Sequence, residues 1–406
     1  TLFETSLVFL CTLSGFARVV IVSMGDAGAE VDFDTGFNLT GTIGNARMNK
    51  CVSAADAVSV IESGMTIGIG GWGPRRKPMA LVRELLRSDV SDLTVVAYGG
   101  ADVGLLCAAG KVRKVVYAFV SLDFMPLEPG FRKARETGSV DVREIDEGMM
   151  LLGLRAAAWG SPYIPTRIGL GTDVITRNPD LQLVDSPYDD KEWVAMPALN
   201  LDVSLLHATR GDVRGVCEIA GPDHYMDDWF ARAAKKTVVS VDELVPSDYF
   251  HNADVARRVY WERNLTSHIV HISGGAHPSS SDPLYGYDVK HYKEYAAALA
   301  EGGYDRWSEA YLGDSESSYQ SNVGGLEAIQ TLPFFGGDKV VWLKGASFFA
   351  DNVTGRSEVV KGAVENLLDI LTQSTPPTVK VVISASEIDK RRTFFTTMKK
   401  VATLQL

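Results

Sequence analysis

Glycines and basic residues follow one another closely between Met65 and Pro78, in the sequence MTIGIGGWGPRRKP. A short apolar run typical of a strand leads into a group of glycines, then three consecutive cations, and a helical pattern opens at Met79. Glycines let a ligand approach the backbone closely, and free N–H groups at the start of a helix attract anions. This order predicts a site for the phosphates or the thioester of a large anionic molecule. The alternative is that the glycines only build a tight turn between a strand and a helix.

Six residues of this segment are predicted to contact such a ligand, namely Gly70, Gly71, Trp72, Arg75, Arg76 and Lys77. The N–H groups of Gly70, Gly71 and Trp72 could stabilise an oxyanion. Trp72 could also stack on a flat ligand, although a tryptophan of the core is the commoner outcome. Three cations face the unfavourable end of the helix dipole, which favours an anionic partner over a solvated first turn. We therefore predict that these cations hold phosphates or carboxylates.

Three carboxylates crowd the segment from Glu144 to Glu147, just beyond a strand candidate at 140–142. Mutual repulsion and partial burial are expected to raise the pKa of at least one of them, as a general base working near neutrality requires. The alternative is that they cap a helix that starts near Met149, because carboxylates are favoured at helix N-termini.

His277 lies in the segment SGGAHP, where a strand-like run gives way to a turn with two glycines. Such loops often carry functional residues, and we predict that His277 contacts the ligand. The alternative is that His277 is only a polar residue of this loop. His224, Asp227 and Asp228 invite a metal hypothesis, but capping and surface roles explain them as well, and we predict no metal site.

Strand and helix patterns alternate between residues 48 and 322. Short Val-rich runs at 93–98, 112–120 and 237–241 are typical of buried strands. We therefore predict an α/β fold with an open, mostly parallel sheet and helices on both faces. Ligands of such sheets bind beyond the carboxyl ends of the strands, where the glycine turn would lie.

The bulk composition limits the classes of partner. The chain has 406 residues, of which 46% are hydrophobic and 22% charged, as is ordinary for a globular protein with a sizeable core. A net charge of −11 makes nucleic-acid binding through bulk electrostatics an unfavoured hypothesis.

The cysteines and the apolar N-terminal stretch bear on the compartment. Four widely spaced cysteines without a CxxC pair suit a reducing cytoplasm and predict neither disulfides nor a zinc site. The stretch at 7–22 is interrupted by Arg18 and lacks both a basic lead and the length of a spanning helix. We therefore predict a cytoplasmic protein that does not associate with membranes.

The order of the motifs from Met48 to Asn322 resembles a known family. The glycine turn, KVRKVVYAFVSLD, VDVREIDEGMM and HIVHISGGAHP follow one another as in the α subunits of class I CoA-transferases. The chain more closely resembles the α subunits of bacterial hydrolases that open the last steroid ring as a CoA thioester. The resemblance implies a CoA thioester as substrate, no permanently bound cofactor, and Glu147 as the functional glutamate.

The resemblance also implies a reaction and a partner. In a steroid-type hydrolase, hydroxide attacks a ring ketone of a cyclic β-diketone, and the C–C bond breaks to leave an enolate, with Glu147 as the base. The alternative in the same fold is CoA transfer between an acyl-CoA and a carboxylate. In heteromeric transferases the nucleophilic glutamate belongs to the β subunit. Because no β half follows residue 322, we expect a separate β subunit.

Three segments are predicted along the chain. Residues 1–47 are an unassigned extension whose glycine- and threonine-rich part looks loop-like, and residues 48–322 form the CoA-transferase-like domain. Residues 323–406 are predicted to be a small α/β segment with strands at 340–343 and 378–384. This segment resembles part of the δ subunit of the bacterial DNA polymerase III clamp loader, which leaves a non-catalytic replication subunit as a further hypothesis. It contains no glycine-lysine phosphate loop, so ATP hydrolysis is not predicted.

Overall fold

Strands and helices alternate through the central part of the chain in the computed structural model. The structure describes residues 49–316 apart from Pro126 and Gly302, together with Tyr319, Leu368, residues 395–397 and five short strands outside that range. Two units are present, one formed by Thr42–Ser318 and the other by Thr1–Gly41 with Tyr319–Leu406. The predicted division at residues 47 and 322 stays a prediction.

The strands, in chain order, are β1 (Leu7–Leu13), β2 (Ala17–Arg18), β3 (Thr66–Ile69), β4 (Leu93–Gly99), β5 (Val112–Val120), β6 (Asp141–Glu144), β7 (Tyr163–Thr166), β8 (Gln182–Asp185), β9 (Glu192–Pro197), β10 (Leu201–Gly211), β11 (Cys217–Glu218), β12 (Ala234–Leu244), β13 (Thr266–His271), β14 (Lys339–Leu343), β15 (Val379–Ala385) and β16 (Thr403–Gln405). The helices are α1 (Ala54–Val58), α2 (Met79–Arg87), α3 (Ala101–Ala108), α4 (Pro129–Thr137), α5 (Glu147–Ala158), α6 (Asp173–Arg177), α7 (Asp227–Ala233), α8 (Ala253–Ala256), α9 (Val289–Glu301) and α10 (Gly303–Trp307). A 3₁₀ turn covers Ser247–His251, and a π-helical turn covers Ser308–Leu312.

The main sheet of the central unit has the strand order β13-β12-β10-β3-β4-β5-β6. All neighbours in this order are parallel, and the short β11 pairs with β10 in the antiparallel sense. The chain continues from β3 to one side of the sheet and later returns to β10 on the other side. The strand order therefore reverses between β3 and β10, and ligands of open α/β sheets bind at such a point.

Helices cover both faces of this sheet, which confirms the predicted fold class. Along β4, Val95 and Ala97 join the core under α2 and α3, whereas Val96 and Tyr98 join the core under α5 and α7. Successive strand residues point to opposite faces, so a strand buried on both sides is apolar throughout. The Val-rich runs at 93–98 and 237–241 are this kind of strand, whereas β5 is only partly buried.

Helix α4 shows how local sequence sets the bounds of a helix. Pro129 occupies its first position, and Gly138 ends it with φ +67°, a left-handed conformation that favours glycine. The Glu128 carboxylate caps the helix by accepting from the N–H groups of Gly130 (3.1 Å) and Phe131 (2.6 Å). Tyr295 of α9 also donates its hydroxyl to this buried carboxyl group. Burial raises the pKa of Glu128 to about 7.

A small antiparallel sheet with the order β7-β9-β8 lies between α5 and β10 in the chain. In the other unit, a sheet has the order β14-β15-β1-β16, with β2 paired to β1. The strands predicted at 340–343 and 378–384 are confirmed as β14 and β15. The segment predicted to be loop-like, GDAGAEVDFDTGFNLTGTIGN, lies outside the described residues. None of the helices in the described part of the chain is long and apolar enough to cross a bilayer.

Candidate active site

The glycine turn leaves β3 at the carboxyl edge of the main sheet, and hydrogen bonds from its backbone N–H groups hold it in place. The N–H of Gly70 donates to the carbonyl oxygen of Leu205 (3.0 Å), and Trp72 and Arg75 exchange two backbone hydrogen bonds of 2.8 Å. The N–H of Gly71 donates to Oδ1 of Asp227 (2.8 Å). The prediction that the three N–H groups of Gly70, Gly71 and Trp72 stabilise an oxyanion is therefore wrong for this arrangement, because each already has an acceptor.

Both central glycines of the turn are required by space. A Cβ atom on Gly70 would lie 2.4 Å from Cδ2 of Leu206, and one on Gly71 would lie 2.5 Å from the carbonyl oxygen of Arg76. Gly71 also has φ +75°, which other residues rarely adopt. The tight turn, named above as the alternative, is thus present. Whether Gly70 and Gly71 also contact a ligand stays a prediction.

Arg76 and Lys77 are buried in ion pairs with the chain's own carboxylates. Nη1 of Arg76 lies 2.7 Å from Oδ2 of Asp227, and Nζ of Lys77 lies 3.0 Å from Oδ2 of Asp102. The four side chains are 0–3% exposed. Burial lowers the pKa of Lys77, and the Asp102 carboxylate opposes that effect. Cations at a helix start favour an anionic partner, and for these two the partner is a carboxylate of the same chain and not a bound ligand. Their predicted contact with phosphates stays untested.

Arg75 has the only solvent-accessible side chain of the three cations. It forms an ion pair with Asp123, in the loop after β5, and about a third of each side chain is exposed. An exposed ion pair of this kind contributes about 0–1 kcal/mol, so an anionic ligand could displace Asp123 from Arg75 at little cost. Arg75 is therefore the cation of the segment whose geometry suits the predicted role.

Four aromatic side chains form a cluster next to the turn, which we call the aromatic cluster: Trp72, Tyr98, Phe119 and Tyr225. The Trp72 ring stacks on Tyr98 with centroids 4.7 Å apart and meets the edge of Phe119 at 4.8 Å. Tyr225 lies at 6.2 Å from Trp72 on a nearly parallel plane. Tyr98 is fully buried, whereas Trp72 is partly exposed. Trp72 therefore packs on the core and also borders solvent, as stacking on a flat ligand requires.

Glu147 is the first residue of α5, and its side chain is exposed at the carboxyl edge of the main sheet. The capping role falls to its neighbour Asp146, whose Oδ1 accepts from the N–H of Gly148 (2.7 Å). Among the described residues, no hydrogen bond or ion pair engages the Glu147 carboxylate. Tyr98 donates its hydroxyl to the main-chain oxygen of Glu147 (2.9 Å). Burial raises the pKa of the Tyr98 phenol, and the Glu147 charge raises it further.

The third acid of the segment is engaged elsewhere. Oε2 of Glu144 accepts from the Tyr117 hydroxyl (2.9 Å) and from Nη2 of Arg135 (3.1 Å). The three acids thus have separate surroundings: Glu144 is paired, Asp146 caps a helix and Glu147 has an unengaged carboxylate. Of the three, Glu147 is the one whose geometry suits a general base.

His277 has a side-chain partner that the sequence did not show. Its Nε2 lies 3.0 Å from Oδ2 of Asp288, and its ring meets that of His291 at 5.1 Å. Its carbonyl oxygen accepts from Nη1 of Arg83 on α2 (2.7 Å). These contacts join His277 to α2 and to the start of α9, on the face of the sheet opposite α5. Its predicted contact with the ligand stays a prediction.

A buried polar cluster at the ends of β10 and β12 was missed by sequence reasoning. Nε2 of His207 lies 2.9 Å from Oδ2 of Asp242. The same Oδ2 accepts from the hydroxyl of Ser281 (2.6 Å), and Oδ1 of Asp242 accepts from the hydroxyl of Tyr285 (2.8 Å). All its side chains but Tyr285 are under 4% exposed, so the cluster anchors the loop after β13 and is closed to a ligand. An acid directly after the apolar run of β12 was the signal that could have revealed it.

Asp227 was also missed as a partner of the turn, since nothing in the local sequence connects it to Arg76. The neighbouring His224 pairs with Asp228 at 3.4 Å and stacks on Tyr260 at 4.4 Å. That pairing with Asp228 raises the pKa of His224. Across the described ranges, no three His, Cys, Asp or Glu side chains are grouped as a metal ion would need.

Comparisons with known proteins agree with this fold. The family model of coenzyme A transferase matches residues 51–262, and that of the DNA polymerase III delta subunit matches residues 305–405. The chain is 46% identical over 286 residues to the cholesterol ring-cleaving hydrolase IpdA subunit of Rhodococcus jostii, covering 68% of this chain and 97% of that one. The IpdA subunit of Mycobacterium tuberculosis is 44% identical over 283 residues, with the same coverage. Glutaconate coenzyme A-transferase from Acidaminococcus fermentans has the same fold, with a TM-score of 0.66, 24% identity, and coverage of 70% of this chain and 96% of that one.

Proposed function

The chain belongs to the coenzyme A transferase family, and from that premise we propose that it is the α subunit of a heteromeric enzyme that hydrolytically opens a ring of a steroid-derived acyl-CoA. The observation that carries this proposal is the 46% identity over 97% of the Rhodococcus ring-cleaving subunit. The aromatic cluster supports it, because an apolar ring system can pack against the exposed part of Trp72.

In the proposed reaction Glu147 is the general base. Its exposed carboxylate takes a proton from water, and the oxygen attacks a ring ketone of a cyclic β-diketone. The C–C bond next to that carbonyl breaks, giving a carboxylic acid and an enolate, and the enolate carbon takes the proton back. One water is consumed and no redox change occurs. The donors for the developing oxyanion must lie outside the glycine turn, whose N–H groups are engaged.

CoA enters this proposal as part of the substrate. We assign Arg75 to an anionic group of the ligand, either a CoA phosphate or a ring-derived carboxylate, by exchange with Asp123. No permanently bound cofactor is needed for the chemistry described. Cys51, Cys107 and Cys217 are free thiols, in keeping with a cytoplasmic location.

The proposed partner is a β subunit. The relatives matched over almost their whole length are named as subunits of a hydrolase. We therefore expect activity from a complex of this chain with a β subunit of the same family, and none from this chain alone.

The test is co-expression of the full chain with the second subunit of the Rhodococcus hydrolase. The complex is given a steroid-derived cyclic β-diketo acyl-CoA, with and without a free carboxylate acceptor, and the products are followed by mass spectrometry. We expect a ring-opened CoA thioester heavier by one water in both reactions. Exchange of CoA that occurs only with the acceptor would contradict hydrolysis and support CoA transfer.

The C-terminal part of the chain is a separate proposal. We propose that residues 323–406 form a segment related to the polymerase III delta subunit, distinct from a 48–322 domain and a 1–47 extension. The delta-subunit match covers only residues 305–405, so it does not favour a replication role for the whole chain. Limited proteolysis with mass mapping tests the division. We expect a protected fragment that ends near residue 322.

A further inference from the structure

Tyr98 connects two parts of the candidate active site. It is the last but one residue of β4, in the middle of the main sheet, and its side chain points to the face covered by α5 and α7. Its hydroxyl lies 2.9 Å from the main-chain oxygen of Glu147, and its ring stacks on Trp72 at 4.7 Å. One buried side chain thus contacts both Trp72 of the aromatic cluster and the backbone of the proposed base, Glu147.

The helix does not require the hydrogen bond that Tyr98 makes. At the N-terminus of an α-helix the unpaired groups are N–H donors, while the carbonyl of the first residue already accepts from the N–H four residues on. The tyrosine hydroxyl is a second donor to that oxygen of Glu147. Its effect is therefore to fix the first turn of α5 against the end of β4.

The Tyr98 ring is itself held firmly. Phe119 lies at 5.8 Å and Phe230 at 6.3 Å from it, and the side chain is fully buried. A phenol in this setting has two rotatable side-chain bonds and both are restrained by packing. The distance between Trp72 and the main chain of Glu147 is set through this ring.

We infer that Tyr98 is a positioning residue, which fixes Glu147 relative to a ligand stacked on Trp72. The inference rests on the proposed function, in which Glu147 is the base. A displacement of about 1 Å at a reacting group can lower a rate by about 100-fold. We expect the loss of one neutral hydrogen bond to displace Glu147 by less than that distance, and therefore to lower kcat five- to tenfold.

The test compares Tyr98→Phe with Tyr117→Phe in the assembled complex. Tyr98→Phe keeps the ring stacked on Trp72 and removes only the hydroxyl. Tyr117→Phe removes a hydroxyl that donates over the same 2.9 Å from the next strand, but to Glu144. We expect kcat to fall five- to tenfold in Tyr98→Phe with KM within twofold of the wild type. Tyr117→Phe should leave both constants unchanged.

A second measurement does not depend on activity. Hydrogen exchange in the full chain reports on the first turn of α5 through the second-turn amides, which donate to the first-turn carbonyls, and we expect faster exchange there in Tyr98→Phe than in Tyr117→Phe, by about five- to tenfold. Unchanged kcat and unchanged exchange in Tyr98→Phe would overturn the inference, as would an equal loss in both variants. A wild-type complex without ring opening would refute the proposed function, and the exchange difference would still decide whether Tyr98 fixes α5.

Discussion

Replacing Asp227 by asparagine tests whether a buried ion pair holds the glycine turn. Asparagine keeps the shape of the side chain and an oxygen that can accept from the N–H of Gly71. It removes the charge that faces Arg76 and turns an amide donor toward the guanidinium. Because both side chains of the pair are at most 3% exposed, Arg76 would be left as an unpaired buried charge.

Removing one partner of a buried ion pair costs about 3–5 kcal/mol. Arg76 keeps weaker acceptors, the carbonyl oxygens of Asp223 (3.2 Å) and His207 (3.4 Å), so we expect the lower part of that range for Asp227→Asn. The double variant Arg76→Met/Asp227→Asn has no buried charge at this site. The carbonyl oxygens of His207 and Asp223 then lose a donor, and only the His207 bond is buried, so we expect a cost of about 1–3 kcal/mol.

The assay is urea unfolding of the purified chain, followed by tryptophan fluorescence. The control is Glu136→Gln, which breaks the exposed pair of Arg132 and Glu136, whose side chains are 56% and 63% exposed. We expect that control to change the free energy of unfolding by less than about 0.5 kcal/mol. If Asp227→Asn costs no more than Glu136→Gln, or if the double variant is less stable than Asp227→Asn, the reasoning about the buried pair is wrong.

Three further predictions concern the base, a buried acid and a glycine. Glu147→Gln should lower kcat of the complex by about 10²–10⁴, while Glu144→Gln stays near the wild type, because Glu144 is engaged by other side chains. The folded state holds a proton on Glu128 up to about pH 7, whereas the unfolded chain loses it near pH 4.5. The free energy of unfolding should therefore fall by roughly 3 kcal/mol as the pH rises between these values, and Glu128→Gln should remove that fall. Gly100→Ala should cost about 2–3 kcal/mol in urea unfolding, because its Cβ would lie 2.3 Å from the carbonyl oxygen of Gly73.

Each of these predictions has an outcome that contradicts it. Equal losses of kcat in Glu147→Gln and Glu144→Gln would point to a general effect of charge at this edge. A pH dependence that survives in Glu128→Gln would assign it to another group. Gly286→Ala is the control for the glycine, because no atom lies within 4 Å of its Cβ position. If Gly100→Ala lowers the free energy of unfolding no more than Gly286→Ala does, the backbone around Gly73 can move to accept the added methyl group.

The fold was predictable because central strands of its main sheet, such as β4, are buried on both faces. Every residue of β4 is buried, so the run LTVVAYG carries a strong signal, and the glycine turn follows β3 as the rule for open sheets requires. A helix start was predicted near Met149, and α5 begins two residues earlier, at Glu147. The residues themselves did not show that Asp146 is the cap and that the carboxylate of Glu147, the proposed base, is unengaged, since adjacent acids look alike in a sequence and differ only in where their side chains point.

The partners of the three cations were the part that the sequence could not provide. Local chemistry indicated that cations at a helix start need anions, and it could not say whose. Asp102 comes from the first turn of α3, Asp123 from the loop after β5, and Asp227 from α7, on the far side of the strand-order reversal. Such pairs depend on tertiary geometry, which composition and periodicity do not reveal.

The pairing of Arg76 with Asp227 also sets the order in which this unit can be completed during synthesis. The two residues are 151 positions apart. At about 5–20 residues per second, roughly 8–30 s pass between their emergence from the ribosome. For most of that time β3 lacks its neighbour β10, and throughout it Arg76 lacks the Asp227 carboxylate. A nascent chain that stops before residue 227 therefore lacks the carboxylate of this pair, and the glycine turn can reach its final packing only after that residue has been made.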